Sequence, residues 1–295
     1  MDAAIYLRNV SKRFGPTQAV QGVSLEIRPG EMVGLVGPDG AGKTTLARLA
    51  AGALAPSEGR VEPESRGRVG YLTGRFSLYP DLTVWENLTF FARMYGMRPK
   101  ETAAEAERLL EWVGMLPFKK RLTGALSGGM RQKLALCCAV IHKPPILILD
   151  EPTTAVDPVA RMDFWRLLRH QAEAGTAVLV TTPYLDEAEY CHRVGLLHEG
   201  RLLAVGTAAE LKESFPYRML MLTQQDGEKL RRAEITAAAR ALPGHQWSQL
   251  LGTGVRVALA AGDGLPAAPP GYALTAVEPN LEDVYLWRSG LGQEV

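Results

Sequence analysis

Apolar and polar positions alternate over residues 4–10 and 20–27, which predicts two half-buried strands, the second closed by Pro29-Gly30. Between them, Lys12-Arg13-Phe14-Gly15 reads as a turn carrying an aromatic ring. The pattern then changes. Residues 32–36 are apolar or glycine throughout, as in a strand covered on both faces, and residues 46–54 show amphipathic helical spacing. A polar stretch punctuated by proline and glycine, 56–67, reads as a surface excursion, and 69–72 as a short strand. Thr83, with Glu86 three residues on, forms a capping box at the head of a helix reaching Tyr95, and 102–113 is a second amphipathic helix. A third helix runs from Ser127 through Ile141 and stops at Pro144-Pro145. Residues 146–149 form another fully apolar strand, 158–174 a helix with proline in its tolerated first turn, and 177–180 a further buried strand. A short helix bearing Asp186, Glu187 and Glu189 precedes two strands, 194–197 and 202–205, on either side of Glu199-Gly200.

Composition shifts after Glu213. Strands at 217–222, 255–260 and 274–277, helices at 229–241 and 281–287, and a glycine–proline–alanine loop over 262–271 predict a small α+β extension. The pattern therefore predicts an α/β domain over residues 1–213, interrupted by a helical subdomain at about 80–143, and an extension over 214–295.

Composition narrows the class without naming a function. At 295 residues, 46% apolar and 22% charged, the chain resembles an ordinary globular protein. A net charge of +1 gives no overall attraction to nucleic acid or to an anionic membrane. The longest apolar candidate, 134–141, is too short to cross a bilayer, so any membrane association is expected to go through a partner. The first residues lack a basic stretch followed by an apolar one, so no signal peptide is expected. The three cysteines, Cys137, Cys138 and Cys191, show no metal-ligand spacing and are expected to be reduced core residues of a cytosolic protein.

Chemistry concentrates where the second buried strand meets the first helix. Gly37-Pro38-Asp39-Gly40-Ala41-Gly42-Lys43-Thr44-Thr45 places a glycine, four residues, and then Gly-Lys-Thr between strand and helix, the spacing of a phosphate-binding loop. Glycines let the backbone curl and aim its N–H groups at phosphate oxygens, and the helix adds its positive end. Lys43 is expected to reach the outer phosphates and the Thr44 hydroxyl to hold magnesium. Asp39 is expected to point away, since a carboxylate repels phosphate. Asp150-Glu151 ends the apolar strand 146–149, where α/β proteins bind ligands. Asp150 is expected to hold magnesium, directly or through water, and Glu151 to polarise the attacking water. Ser127-Gly128-Gly129-Met130, at a helix start capped by Ser127, offers a second anion site. Phe14 reads either as a packing residue beside a turn or as a ring stacked on a nucleotide base.

In this order the motifs resemble those of an ATP-binding cassette ATPase over roughly residues 4–213, with Leu126-Ser127-Gly128-Gly129-Met130 as the signature and Thr153-Thr154-Ala155-Val156-Asp157 after the strand-acid motif. Ser77-Leu78-Tyr79-Pro80-Asp81-Leu82-Thr83-Val84 and the tail Pro279-Asn280-Leu281-Glu282-Asp283-Val284-Tyr285-Leu286 resemble cassettes that serve ABC-2-type multidrug exporters. The resemblance implies a P-loop NTPase cassette with a mixed-sheet core and an inserted helical subdomain. It implies ATP and magnesium as ligands and a second cassette whose signature residues cap the nucleotide. It also implies separate transmembrane permease subunits, a place on the cytoplasmic membrane face, and no nucleic-acid partner. Phe14 then falls at the adenine-stacking position and Asp157 in the loop that crosses the dimer interface.

Several positions depart from that pattern. Gly74 stands where the family usually has Gln, and Pro183 where it usually has His. Ala155-Val156 replaces the glycine usual before Asp157, Met130 replaces the more usual Gln, and the 56–67 excursion is short. With Lys43, Thr44, Asp150 and Glu151 in place, nucleotide binding is expected to survive while hydrolysis at the chain's own site slows, as in a heterodimer with one weak and one strong site. A regulatory cassette, in which dimerisation rather than hydrolysis carries the function, is the alternative.

Overall fold

The computed structural model describes residues 4–62, 69–73, 78–154, 156–225, 232–252, 254–260 and 265–291. The chain divides into two compact units, Met1–Val205 and Gly206–Val295. In the first unit the elements run β1 (Ile5–Phe14), β2 (Thr17–Ile27), β3 (Met32–Val36), α1 (Lys43–Ala50), β4 (Glu58–Glu62), β5 (Val69–Leu72), α2 (Val84–Met94), α3 (Pro99–Trp112) and α4 (Gly128–Val140). They continue with β6 (Ile146–Asp150), α5 (Pro158–Glu173), β7 (Ala177–Thr182), α6 (Leu185–Ala188), β8 (Arg193–His198) and β9 (Arg201–Gly206).

Two sheets build this unit. The larger has strand order β5-β6-β7-β3-β8-β9, and β3 pairs in parallel with both β7 and β8, as β6 does with β5 and β7. Every residue of β3, β6 and β7 is buried, which explains their unbroken apolar runs: helices cover one face and the second sheet the other side of the core. The second sheet is antiparallel, in order β2-β1-β4. Parallel pairing sets the functional geometry, because it brings the carboxyl ends of adjacent strands level: Val36 lies beside Thr182, and Thr181 beside Asp150.

The helical subdomain packs α2, α3 and α4 around Leu88, Leu109, Leu110, Leu134 and Cys137, all fully buried. Thr83 and Glu86 form the expected capping box. Fully buried Asn87 holds the preceding loop: its Nδ2 donates to the carbonyls of Tyr79 and Thr83 and to Thr123 Oγ1, and its Oδ1 accepts from Tyr79 N.

The second unit holds α7 (Ala208–Glu213), β10 (Arg218–Gln224), α8 (Arg232–Arg240), β11 (His245–Leu251), β12 (Gly254–Leu259), β13 (Tyr272–Ala276) and α9 (Leu281–Ser289). Its antiparallel sheet has the order β11-β12-β10-β13, and α8 closes one face over Leu220, Leu222, Val255 and Val257. Asp283, fully buried, accepts from Arg256 Nε at 2.9 Å and also caps the start of α9 together with Asn280. Residues 208–213 contact α9 and belong to this unit, so the division precedes the position at Glu213 where the composition shifts.

Several elements differ from their sequence expectations. Lys12-Arg13-Phe14 is not a turn: β1 continues to Phe14, opposite Thr17, and the reversal takes only Gly15-Pro16. β4 lies within the stretch read as a surface excursion; its Glu58-Gly59-Arg60-Val61-Glu62 is an edge strand held by backbone pairing to β1, so it needs no apolar alternation. β11 was hidden for a similar reason, since His245-Gln246-Trp247-Ser248 lacks a clean period. Helix α3 starts at Pro99, where proline suits the first turn, ahead of the Thr102 that begins its apolar spacing.

All three cysteines are free and buried, as expected of core residues. Burial pushes the Cys137 thiol up to about 12 and raises Cys138 and Cys191 as well. The thiolate is the nucleophile, so we expect none of the three to react with iodoacetamide at pH 8 in the native chain and all to react after denaturation. Mass spectrometry of the alkylated protein measures this, and rapid native labelling would contradict the burial described here.

Candidate functional site

The loop between β3 and α1 turns on two glycines that sit tightly against the backbone of neighbouring strands. Gly42 has φ of 100°, and a Cβ there would lie 2.4 Å from the carbonyl oxygen of Ala19. A Cβ on Gly37 would lie 2.1 Å from the carbonyl oxygen of Leu197. From sequence the glycines are expected to let the backbone curl and aim its N–H groups at phosphate; at Gly37 and Gly42 the protein's own backbone, on β8 and β2, also leaves no room for a side chain.

An open cavity of about 610 Å3 borders this loop. Among the described residues it is lined by Asp39, Gly40, Gly42, Lys43, Thr44, Thr45 and Glu151, and by Thr17, Gln18, Ala19, Gln21 and Glu199. Thr17 to Gln21 belong to β2 and Glu199 to the β8–β9 turn; no spacing in the sequence connects them to the loop. Gln21 ties the two together, its N donating to Gly200 O and its Nε2 to Glu199 O. Asp39 is among the residues that border the cavity. Phe14 is not part of the lining; it is 48% exposed at the end of β1, opposite the lining residue Thr17, with Lys12 Nζ 5.3 Å from its ring. Gly37 and Pro38 contribute their carbonyls to Lys43 instead.

The cation of the loop is drawn inward. Lys43 is 3% exposed; its Nζ donates to Gly37 O at 2.8 Å and Pro38 O at 3.0 Å, and it is paired with Glu151 Oε1 at 3.1 Å. The reading from spacing gave Lys43 to the outer phosphates and Glu151 to water; in this structure the two hold one another. Glu151 also has φ of 49°, a left-handed conformation that costs a residue of its kind about 1–3 kcal/mol. The surroundings over-determine it: Glu151 N donates to both Thr181 O and Thr181 Oγ1, each at 3.0 Å. Nothing in the sequence signals that strain.

Thr181 carries more of the site than its apolar strand suggested. Its hydroxyl accepts from Glu151 N and donates to Asp150 Oδ1 at 2.8 Å, and Thr44 Oγ1 donates to the same oxygen at 3.1 Å. Thr44 and Asp150 thus meet as an all-oxygen pair, the donor set that a hard divalent cation completes with substrate phosphate and water. The residues fit magnesium on that ground, and one carboxylate is enough for such a site, consistent with no larger metal-type cluster among the described residues. The Tyr71 phenol is held above its ordinary range by burial and then by the charge of Asp150.

The remaining site residues lie elsewhere. Ser127 caps α4, its Oγ accepting from Met130 N at 3.3 Å, and Ser127, Gly128, Gly129 and Met130 do not line the cavity. Ser127 is exposed and the glycines are half-buried. Asp157 caps α5, accepting from Ala160 N at 3.0 Å. Pro183 follows the last residue of β7 and is also outside the lining. Gly74 lies outside the described residues.

A glycine loop at the end of a parallel strand, a lysine and threonine opening the next helix, and an acid pair at the end of β6, the next strand but one in the sheet, define a P-loop NTPase. Comparison with known proteins narrows this further. The ABC transporter family model matches residues 20–154. Nod factor export ATP-binding protein I of Paraburkholderia xenovorans (strain LB400) is 40% identical over 221 residues, covering 71% of this chain and 73% of that protein. Linearmycin resistance ATP-binding protein LnrL of Bacillus subtilis (strain 168) is 33% identical over 214 residues, covering 69% of each. A third relative, "Probable multidrug ABC transporter ATP-binding protein YbhF" of Escherichia coli (strain K12), is 39% identical over 221 residues, and the match spans 38% of its length. Among solved structures, cbiO1 from Clostridium perfringens, part of the ABC transporter complex cbiONQ, superposes with a TM-score of 0.66 at 26% identity, covering 72% of this chain and 92% of that one. The dimeric bacterial ABC transporter cassette MJ0796 gives a TM-score of 0.63 at 27% identity, covering 69% and 98%. The chain belongs to the ATP-binding proteins of ABC transporters.

Two of the loop's three glycines, Gly40 and Gly42, give a direct check on its construction. Gly40, at φ of 80°, has open space where a Cβ would stand, whereas Gly42 meets Ala19 O. We expect Gly40→Ala to cost about 1 kcal/mol and Gly42→Ala clearly more, read as the drop in thermal unfolding temperature. Equal losses would mean that the contact with β2 does not shape the loop.

Proposed function

We propose that this chain binds and hydrolyses ATP to energise an ABC-2-type exporter. It would work at the cytoplasmic face of the membrane with a second cassette and separate permease subunits. The meeting of Lys43, Thr44, Asp150 and Glu151 at the level ends of β3 and β6 carries this reading. The names of the export and resistance relatives support the direction of transport. Among the described residues no helix is long and apolar enough to cross a membrane, which suits a subunit reaching it through partners.

In this reading the amides of the 37–45 loop and the start of α1 bind the phosphates. Lys43 exchanges its bond to Glu151 for the outer phosphates, which frees the carboxylate to accept a proton from the attacking water. Thr44 and Asp150 hold magnesium, which supplies charge neutralisation on the phosphates. Phe14 stacks the adenine from the end of the β1–β2 hairpin. Exposed Ser127 and half-buried Gly128, Gly129 and Met130, all outside their own cavity, cap the nucleotide of a second cassette, and Asp157 crosses between the two.

The chain's own site is slow in this account. Pro183 offers no side-chain donor to the γ-phosphate, and Gly74 none to magnesium or water. One well-placed donor is worth about 2.7–4 kcal/mol of barrier. A heterodimer with a fully equipped cassette reconciles that site with intact ATP-binding residues.

Single-turnover hydrolysis by the purified chain tests the proposal. We expect slow cleavage, its loss in Glu151→Gln with ATP binding kept, and a gain of at least about tenfold in Gly74→Gln/Pro183→His. Fast cleavage by the unaided wild-type chain would overturn the weak-site reading. Cleavage undiminished in Glu151→Gln would remove Glu151 from the chemistry.

A further inference from the structure

A buried carboxylate outside the cavity joins the loops that border it. Glu187, on α6, is 1% exposed. Its Oε2 accepts from Thr153 Oγ1 at 2.8 Å and from Thr182 Oγ1 at 2.5 Å. Its Oε1 is ion-paired with Arg161 Nε at 3.2 Å, without the alignment of a hydrogen bond.

The three partners belong to three functional segments. Thr153 lies two residues after Glu151. Thr182 ends β7 immediately before Pro183, and its hydroxyl also accepts from Tyr184 N at 3.1 Å, so it grips both sides of the proline. Arg161 lies one turn into α5, which Asp157 caps, and its guanidinium rests 4.9 Å from the Tyr184 ring centre. Its neighbour Ala160 faces the signature: the Ala160 Cβ is 2.8 Å from where a Cβ on Gly129 would stand. The same region is tied from the signature helix by Gln132, whose Nε2 donates to Pro152 O.

Burying a carboxylate costs more than burying an apolar side chain of similar size unless it is fully paired. Stability alone would be served as well by a leucine on a helix as short as α6. What a carboxylate adds is direction, since each of its bonds fixes one partner at one place. The strained backbone of Glu151 is held from the front by Thr181 and from behind, through Thr153, by Glu187. With proline at position 183, the place of that segment also falls to Thr182 and its bond to Glu187.

We propose that Glu187 is a positioning residue for ATP cleavage. It fixes the Glu151 loop, the Pro183 segment and the first turn of α5 relative to one another, and so sets where the general base stands. It touches no reacting atom and does not line the cavity. The proposal rests on the ATPase reading above.

The test compares wild type, Glu187→Ala and Glu187→Gln in the full chain by steady-state turnover, MgATP affinity and amide hydrogen exchange. We expect Glu187→Ala to lower kcat at least about tenfold, as a small misplacement of a catalytic group does, while Kd stays within about threefold. Exchange should quicken in 151–157 and 181–184 and stay unchanged in 37–45. Glu187→Gln keeps an acceptor for the threonines but loses the charge facing Arg161, and should fall between the two. If Glu187→Ala fails to fold, Glu187→Gln carries the same split between kcat and Kd. Wild-type turnover in a folded variant overturns the proposal, and so does a parallel loss of affinity and turnover with faster exchange in 37–45. If the wild-type chain does not hydrolyse ATP, the ATPase reading falls, and loop exchange alone decides: unchanged protection in 151–157 and 181–184 refutes a positioning role.

Discussion

The site depends on strand alignment. Parallel pairing of β6 with β7 and of β7 with β3 brings Asp150, Thr181, Thr182 and Val36 to one level, and everything chemical is attached just beyond. The Thr181 hydroxyl joins the two acids there, donating to Asp150 and receiving the Glu151 amide. A slip of one residue in either pairing would turn those side chains to the other face of the sheet and dissolve the site. Complete burial of the three strands specifies that register, because any other would bury polar groups without partners.

Much of this was legible in the sequence, for identifiable reasons. The apolar runs of β3, β6 and β7 are what strands covered on both faces require, and the glycine loop, the acid pair, the capping box at Thr83 and the helix cap at Ser127 are patterns of neighbouring residues that spacing alone reveals. What escaped was non-local or polar. β4 and β11 are held by cross-strand pairing that leaves little periodicity. The cavity wall from Thr17 to Gln21 and Glu199 comes from elements far apart in the chain. The left-handed backbone of Glu151 and the turn of Lys43 toward it follow from tertiary packing, and no residue type announces either.

The glycines show how a correct pattern can carry an incomplete reason. Spacing identified the loop because phosphate binders share it. In this protein Gly37 and Gly42 are confined first by the carbonyls of Leu197 and Ala19, so the loop is shaped by the sheets beside it before any ligand arrives. The Lys43–Glu151 pair gives the same view of the chemistry. Cation and carboxylate neutralise one another in this structure, and the proposed function has the phosphates of the nucleotide compete for the lysine.

That competition is the centre of the account, and nucleotide titration of Lys43→Ala measures it most directly. With magnesium present, the account predicts that ATP affinity falls by at least about tenfold in a variant that remains folded. Affinity equal to that of the wild-type chain would contradict it.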